Sequence, residues 1–308
     1  MKLEHVIESQ QFTLPMLMSL FERATEMERI VRRGGTQDYN NKIMASLFYE
    51  PSTRTRLSFE SAMLRLGGKV LSTENAANFS SASLGETLED TIRVVDEYAD
   101  VIVLRHNEVG GAKRAAAVSS VPVINAGDGK GGQHPTQALL DLYTIYKEIN
   151  KLDGLKVAIV GNLLDGRTVR SLSYLLGKFE RVKIYFVATQ QLQMKEDLLG
   201  YLTEHGVWYS LESDLQKVLP EVDVVYVTRI ERERISKSDA EYKTLVKNYY
   251  FDERTMRKLP SHAIVMHPLP RVGEIALSVD DDRRAAYFRQ TQNGIFVRMA
   301  LLSWVFEQ

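Results

Sequence analysis

Apolar positions along this chain repeat with two periods, and the places where one period gives way to the other carry most of the fold prediction. Between residues 13 and 33, Leu14, Leu17, Phe21, Ala24, Met27 and Val31 recur at helical spacing, with Thr13 placed to cap and Gly34-Gly35 to stop. An apolar run at 42–48 reads as a buried strand and ends at Glu50-Pro51. A helical pattern through Leu57, Leu64 and Leu66 follows and stops at Gly67-Gly68, before a short strand at 69–72. Residues 74–85 are polar and aperiodic and read as an exposed loop. The alternation then resumes: helix 86–99, strand 100–104, helix 111–118, strand 122–125, and a glycine-rich turn opening into a long helix with Pro135 near its start. After KEINKLDG, which ends at Gly154, it restarts with strand 156–160, helix 168–179, strand 183–187, helix 195–205 and strands at 223–228 and 263–267. A last helix over 294–306 is apolar on more than one face and is expected to pack back on the first domain.

Strands that alternate with helices predict parallel sheets covered on both faces, here twice over. The expected fold is therefore α/β: two doubly wound parallel-sheet domains with the ligand cleft between them. The predicted domains are 1–149, with the C-terminal helix 290–308 returning to it, and 150–289.

In open α/β sheets, ligands bind beyond the carboxyl ends of the strands. Those ends are predicted to carry Ser52, Thr53, Arg54 and Thr55, then Arg105, His134 with Gln137, Arg167, Arg229 and the Pro268-Leu269-Pro270 loop. Ser-Thr-Arg-Thr falls where a strand hands over to a helix, so free N–H groups and the positive end of a helix dipole join hydroxyls and a guanidinium. Singly, each arginine reads as readily as a surface ion pair, and His134 as a helix cap. Jointly, this many donors without a carboxylate cluster suits multiply anionic ligands.

Composition narrows the classes further. The 308 residues are 44% hydrophobic and 26% charged with a net charge of −1, which gives no broad attraction to nucleic acid or membrane. Cysteine is absent, removing disulfides, thiolate metal sites and a cysteine nucleophile and fitting a reducing compartment, so a cytoplasmic protein is expected. No run approaches the ~18 apolar residues of a membrane span. The six histidines lack metal-ligand spacing, Asp280-Asp281-Asp282 before two arginines reads as a solvated helix start, and GNLLDG is not a dinucleotide fingerprint. Neither metal nor cofactor is expected.

With these residues laid out, the chain resembles the aspartate/ornithine carbamoyltransferase family over essentially its full length. The matching motifs are FYEPSTRTRLSFE at 48–60, LRH at 104–106, NAGDGKGGQHPTQALLDLYTI at 125–145, GRTVRSL at 166–172, TRIERERI at 228–235 and MHPLPR at 266–271. HPLP, where ornithine enzymes carry HCLP, favours the catalytic chains of the aspartate branch. The resemblance implies transfer of the carbamoyl group of carbamoyl phosphate to L-aspartate, in pyrimidine biosynthesis. Carbamoyl phosphate would lie on Ser52, Thr53, Arg54, Thr55 and Arg105, its carbonyl polarised by Thr55, Arg105 and His134. Gln137 and the Pro268 and Leu269 carbonyls would meet its amide, and Arg167 and Arg229 would clamp the aspartate carboxylates. It also implies a homotrimer with shared active sites, to which a loop matching 74–85 lends a serine, here Ser80, and a lysine from the neighbour, with regulatory or other pathway subunits as further partners.

Four positions depart from the family pattern. Leu84 stands where the loop lysine is expected, and loss of one preorganised donor typically costs on the order of 10²–10³ in rate. Glu231 stands where glutamine is usual beside the acceptor, and its carboxylate repels that of aspartate unless it is protonated or paired with Arg232 or Arg234. Asn162 and Gly273 replace aspartates. Leu84 thus motivates reduced activity or a catalytically silent paralogue that serves as a binding or scaffold subunit, and Glu231 a carbamoyltransferase for another amine.

Overall fold

The computed structural model describes residues 3–74, 85–230, 242 and 246–307. They divide into two compact units, Met1–Tyr143 with Gln292–Gln308, and Thr144–Thr291.

The first unit is built on four parallel strands, β1 (Ile43–Phe48), β2 (Lys69–Glu74), β3 (Val101–Arg105) and β4 (Val123–Asn125), in the order β2-β1-β3-β4. β1 and β3 read as nearly unbroken apolar runs because helices cover both faces of a parallel sheet. Helix α1 (Leu14–Arg32) starts where expected: the Thr13 hydroxyl accepts the Met16 N–H at 3.4 Å. Helices α2 (Thr53–Arg65), α3 (Leu88–Asp96), α4 (Gly111–Val118) and α5 (Pro135–Ile149) follow their strands. One core layer packs Ala45, Leu47, Ile102, Leu104 and Val123 of the sheet against Leu88 and Ile92 of the α3 segment and Ala115 of α4.

The second unit holds five parallel strands, β5 (Lys156–Val160), β6 (Lys183–Val187), β7 (Trp208–Glu212), β8 (Val224–Val227) and β9 (Ile264–Met266), in the order β7-β6-β5-β8-β9. Its helices are α6 (Arg167–Leu176), α7 (Glu196–Glu204) and the short α8 (Leu215–Val218) and α9 (Glu253–Met256). The chain closes with α10 (Tyr287–Phe306). Its last part belongs to the first unit, where Arg298 Nη1 donates to Ser58 Oγ at 2.6 Å and Arg23 pairs with Glu307 at 2.7 Å. Among the described residues no helix is long and apolar enough to cross a membrane.

Three expectations need correction. β7 was not anticipated: it is an edge strand with Trp208 and Leu211 exposed, so it lacks the apolar run of an interior strand. α10 begins at Tyr287 rather than at residue 294, because Gly294 does not break it. A Cβ at Gly294 would stand 3.1 Å from Leu140 Cδ2 and 3.0 Å from Arg298 Nη1, so glycine here permits close packing. The three aspartates are not a solvated helix start. Leu277–Asp281 is a 3-10 turn, Asp280 receives the Arg271 fork, with Nη2 to Oδ2 at 2.6 Å, and the Tyr287 hydroxyl, and Asp282 pairs with Arg284 at 2.7 Å. These hydrogen bonds, Arg271 foremost, hold the Asp280 carboxyl below its ordinary range.

Candidate active site

The order of each sheet reverses once, between β1 and β3 in the first and between β5 and β8 in the second. At such a reversal the loops leaving the two adjacent strands part to opposite faces and open a crevice above the strand ends. The expected residues distribute themselves around these two points.

In the first unit β1 runs through Tyr49-Glu50-Pro51 to Ser52, which takes the N-cap position of α2. Ser52 has φ −157° and ψ 80°, and its hydroxyl makes no capping bond to the helix. The N–H groups of the first turn have no intrahelical acceptors, so the helix offers donors and the positive end of its dipole at one point. Thr53 and Arg54 are exposed there and Thr55 is buried. Arg105, the last residue of β3, lies in register with Phe48, and its carbonyl accepts the Tyr49 N–H at 2.9 Å. Its guanidinium pairs with Glu50 at 3.3 Å and donates to the Ala126 carbonyl at 3.4 Å. The guanidinium passes Gly127, whose φ of +129° favours glycine and where a Cβ would stand 2.8 Å from Arg105 Nη1 and displace it.

His134 is buried at the start of α5, beyond β4, which neighbours β3. Its carbonyl accepts the N–H groups of Gln137 at 3.1 Å and Ala138 at 3.2 Å, and its Nδ1 lies 3.4 Å from Thr136 Oγ1. Gln137 is half-buried, and its amide donates to the buried Asp141 carboxylate at 2.8 Å. The first unit therefore carries, after three adjacent strands, a helix N-terminus, three hydroxyls, two arginines, an imidazole and an oriented amide.

The second unit presents longer cationic arms. Arg167 opens α6 and is half-buried, with Gly166 as the N-cap. α6 is anchored three residues later, where the buried Arg170 grips Asp197 through Nη1 to Oδ1 at 3.0 Å and Nη2 to Oδ2 at 2.6 Å. That fork holds the Asp197 carboxyl below its ordinary range. Arg229 leaves β8 just after Thr228, whose hydroxyl donates to the Val160 carbonyl at 2.9 Å and accepts the Asn162 N–H at 3.0 Å. These bonds tie the ends of β5 and β8 together and fix where Arg229 departs. Pro268 and Leu269 follow β9, the strand beside β8, and both are half-buried. Ser80, Leu84 and Glu231 lie outside the described residues.

Sequence reasoning overlooked the groups that orient others. Glu50 sits inside the first motif and pairs with Arg105. Asp141 stands four residues after Gln137, a helical spacing that places the two side chains together. His267 and Glu274 form a buried pair at 2.7 Å beside the Pro268-Leu269 loop. Arg298 is buried and sits with its guanidinium 5.0 Å from the Phe59 ring centroid; burial lowers its pKa to about 10, and the Asp141 charge opposes that shift.

Known proteins share this sequence pattern and fold. Two family models match: the carbamoyl-P binding domain of aspartate/ornithine carbamoyltransferase over residues 4–147 and its Asp/Orn binding domain over residues 153–305. The chain is 54% identical over 308 residues to the chloroplastic aspartate carbamoyltransferase of Oryza sativa subsp. japonica, covering 98% of this chain and 85% of that one. Among solved structures it is similar to the catalytic subunit of M. jannaschii aspartate transcarbamoylase, with a TM-score of 0.93, 44% identity and coverage of 99% and 98%. It is likewise similar to the Trypanosoma cruzi aspartate transcarbamoylase in complex with carbamoyl phosphate and aspartate, with a TM-score of 0.91, 39% identity and coverage of 99% and 97%. The chain belongs to the aspartate/ornithine carbamoyltransferase family.

Proposed function

We propose that the chain transfers the carbamoyl group of carbamoyl phosphate to L-aspartate, giving N-carbamoyl-L-aspartate and phosphate for pyrimidine biosynthesis. The observation that carries this reading is the reversal point of the first sheet, where an uncommitted N-cap hydroxyl and a helix N-terminus stand beside the Glu50-oriented Arg105. A dianionic phosphate is the ligand such a set neutralises best.

In this reading Ser52, Thr53, Arg54, Thr55 and Arg105 hold the phosphate, and Thr55, Arg105 and His134 stabilise the carbonyl oxygen as it gains charge. Gln137 and the Pro268 and Leu269 carbonyls take the amide, and Arg167 and Arg229 take the two carboxylates of aspartate. The amine forms a C–N bond to the carbamoyl carbon, the tetrahedral oxyanion collapses, and the C–O bond to phosphate breaks as the departing phosphate takes up the proton that the amine gives up. Catalysis then rests on positioning and on charge stabilisation. The working assembly is a homotrimer in which Ser80 serves a neighbour's site, and the compartment is the cytoplasm, although the plant relative is named chloroplastic. The proposed domains are 1–149 with 290–308, and 150–289.

The test is carbamoyl-aspartate formation by the purified protein beside its Leu84→Lys variant, at saturating substrates. Turnover requiring both substrates is expected of the parent, rising on the order of 10²-fold in the variant if the leucine costs a phosphate donor. A rate at background in both proteins would sink the reading, and a panel in which another amine outpaces aspartate would reassign the acceptor.

A further inference from the structure

The loop after β9 holds a hydrogen-bonded chain in which each atom's role is determined. The Leu269 N–H donates to His267 Nδ1 at 2.8 Å. Nδ1 is therefore an acceptor, which leaves the ring proton on Nε2, and Nε2 meets Glu274 Oε1 at 2.7 Å. The second Glu274 oxygen accepts the Val272 N–H at 2.9 Å, and the His267 N–H is bound by Gln290 Oε1 at 3.0 Å. The two side chains are 1% and 5% exposed, so neither relaxes into water. Burial acts to raise the Glu274 carboxyl, but the bonds from His267 and from the Val272 N–H outweigh it and keep it below its ordinary range.

The planar peptide makes this chain consequential. Leu269 N–H and the Pro268 carbonyl belong to one peptide group and point in opposite directions. Once Nδ1 captures the N–H, the Pro268 carbonyl is aimed away from the histidine. Leu269 then has φ +55°, the left-handed region that a branched side chain rarely adopts, so the direction of its own carbonyl also depends on the loop being held.

We propose that His267, braced by Glu274, is the positioning residue that aims the Pro268 and Leu269 carbonyls, and that this aim makes the site prefer an acyl phosphate bearing N–H donors over its methyl isostere. The inference rests on the carbamoyl-transfer reading, in which those carbonyls receive the carbamoyl amide. A site built to accept N–H bonds rejects a ligand without them, because its buried acceptors are then left unpaired.

Two isosteres separate the two bonds. His267→Asn puts Oδ1 near the position of Nδ1 and keeps the acceptor for Leu269 while losing Glu274. His267→Gln keeps a donor toward Glu274 and loses the acceptor. The measurement is the KM of carbamoyl phosphate and the inhibition constant of acetyl phosphate as its competitor, at saturating aspartate. In His267→Gln the KM is expected to rise about tenfold, one hydrogen bond's worth, while the acetyl phosphate constant moves less than about twofold; His267→Asn, which loses only the brace, is expected to lower selectivity about threefold. Equal weakening of both ligands in His267→Gln, or equal loss of selectivity in the two variants, overturns the inference. Should His267→Gln fail to fold, Glu274→Gln reads the same chain from its far end: a selectivity lowered about threefold supports the inference, and an unchanged one overturns it. Absence of turnover in both the parent and Leu84→Lys overturns the carbamoyl-transfer reading and this inference with it, whereas an active protein with unchanged selectivity in the His267 variants overturns this inference alone.

Discussion

The two sheets reverse their strand order at equivalent places, yet they arm those places differently. In the first, β1 passes to α2 through Tyr49 to Ser52, and what sets this place apart is short: hydroxyls and first-turn N–H groups, added to the guanidiniums of Arg54 and the Glu50-paired Arg105. In the second, β5 passes to α6 through Gly161 to Gly166, and what it offers is long: Arg167 on the first helical residue, with Arg229 leaving the neighbouring strand. Short donors held by backbone geometry suit a compact, highly charged group such as phosphate. Long guanidinium arms suit carboxylates set apart on a flexible carbon chain, with the precision supplied by anchors behind them such as the Arg170–Asp197 fork. On the proposed reading, one topology serves two kinds of anion, with short donors added at the first place and not at the second.

Arg229→Ala gives the largest expected effect. On the proposed reading its removal leaves an aspartate carboxylate without a guanidinium partner, so kcat/KM for aspartate should fall on the order of 10²–10³ while the KM of carbamoyl phosphate stays within about threefold. Steady-state kinetics with each substrate varied in turn checks it, and a shift confined to carbamoyl phosphate would break the division between the two regions. Ser52→Ala should do less, because the helix N–H groups, Arg54 and Arg105 remain. A rise of about tenfold in the KM of carbamoyl phosphate is expected, one hydrogen bond's worth, with aspartate unaffected. A loss as large as that of Arg229→Ala would mean that the first region also depends on single side chains.

The smallest expected effect touches the first region alone. Burial pushes the His106 imidazole below its ordinary value of 6.5, and its Nδ1 accepts the Glu108 N–H at 3.1 Å, a bond made by the neutral ring. The unfolded chain takes up a proton as pH falls through 6.5, whereas the folded chain takes it up only at lower pH. Stability is therefore whole above about 6.5 and declines below it. The urea midpoint should fall between pH 7.5 and 5.5, and the fall should shrink in His106→Asn, where Oδ1 keeps the acceptor and the titrating group is gone. An equal fall in both proteins would assign the acid sensitivity elsewhere.

Much of this architecture was legible along the chain. Buried parallel strands are apolar on both faces, so 43–48, 101–105, 156–160 and 224–227 stand out as runs, and the polar residues just after them mark the strand ends. β7 did not stand out, since an edge strand with Trp208 and Leu211 exposed has no such run. Gly294 suggested a helix boundary but answers to Leu140, 154 residues earlier, and a local pattern carries no information on so distant a neighbour. The orienting groups were hidden for the same reason. Asp280 looked like a solvated run until Arg271 and Tyr287 closed on it, and His267 gave no sign of Glu274.

The sequence by itself determined what depends on neighbours a few residues away: the periods that select helix or strand, the cap at Thr13, and a Ser-Thr-Arg-Thr segment at the start of a helix. Tertiary structure alone decided what depends on approach from afar: the strand order that brings Arg105 beside Tyr49, the passage of its guanidinium over Gly127, and the burial that makes a hydrogen-bonded pair of His267 and Glu274. The reason is physical. Propensity and periodicity are properties of a short stretch of backbone, whereas the strength and direction of a charge or hydrogen bond depend on which groups exclude water around it.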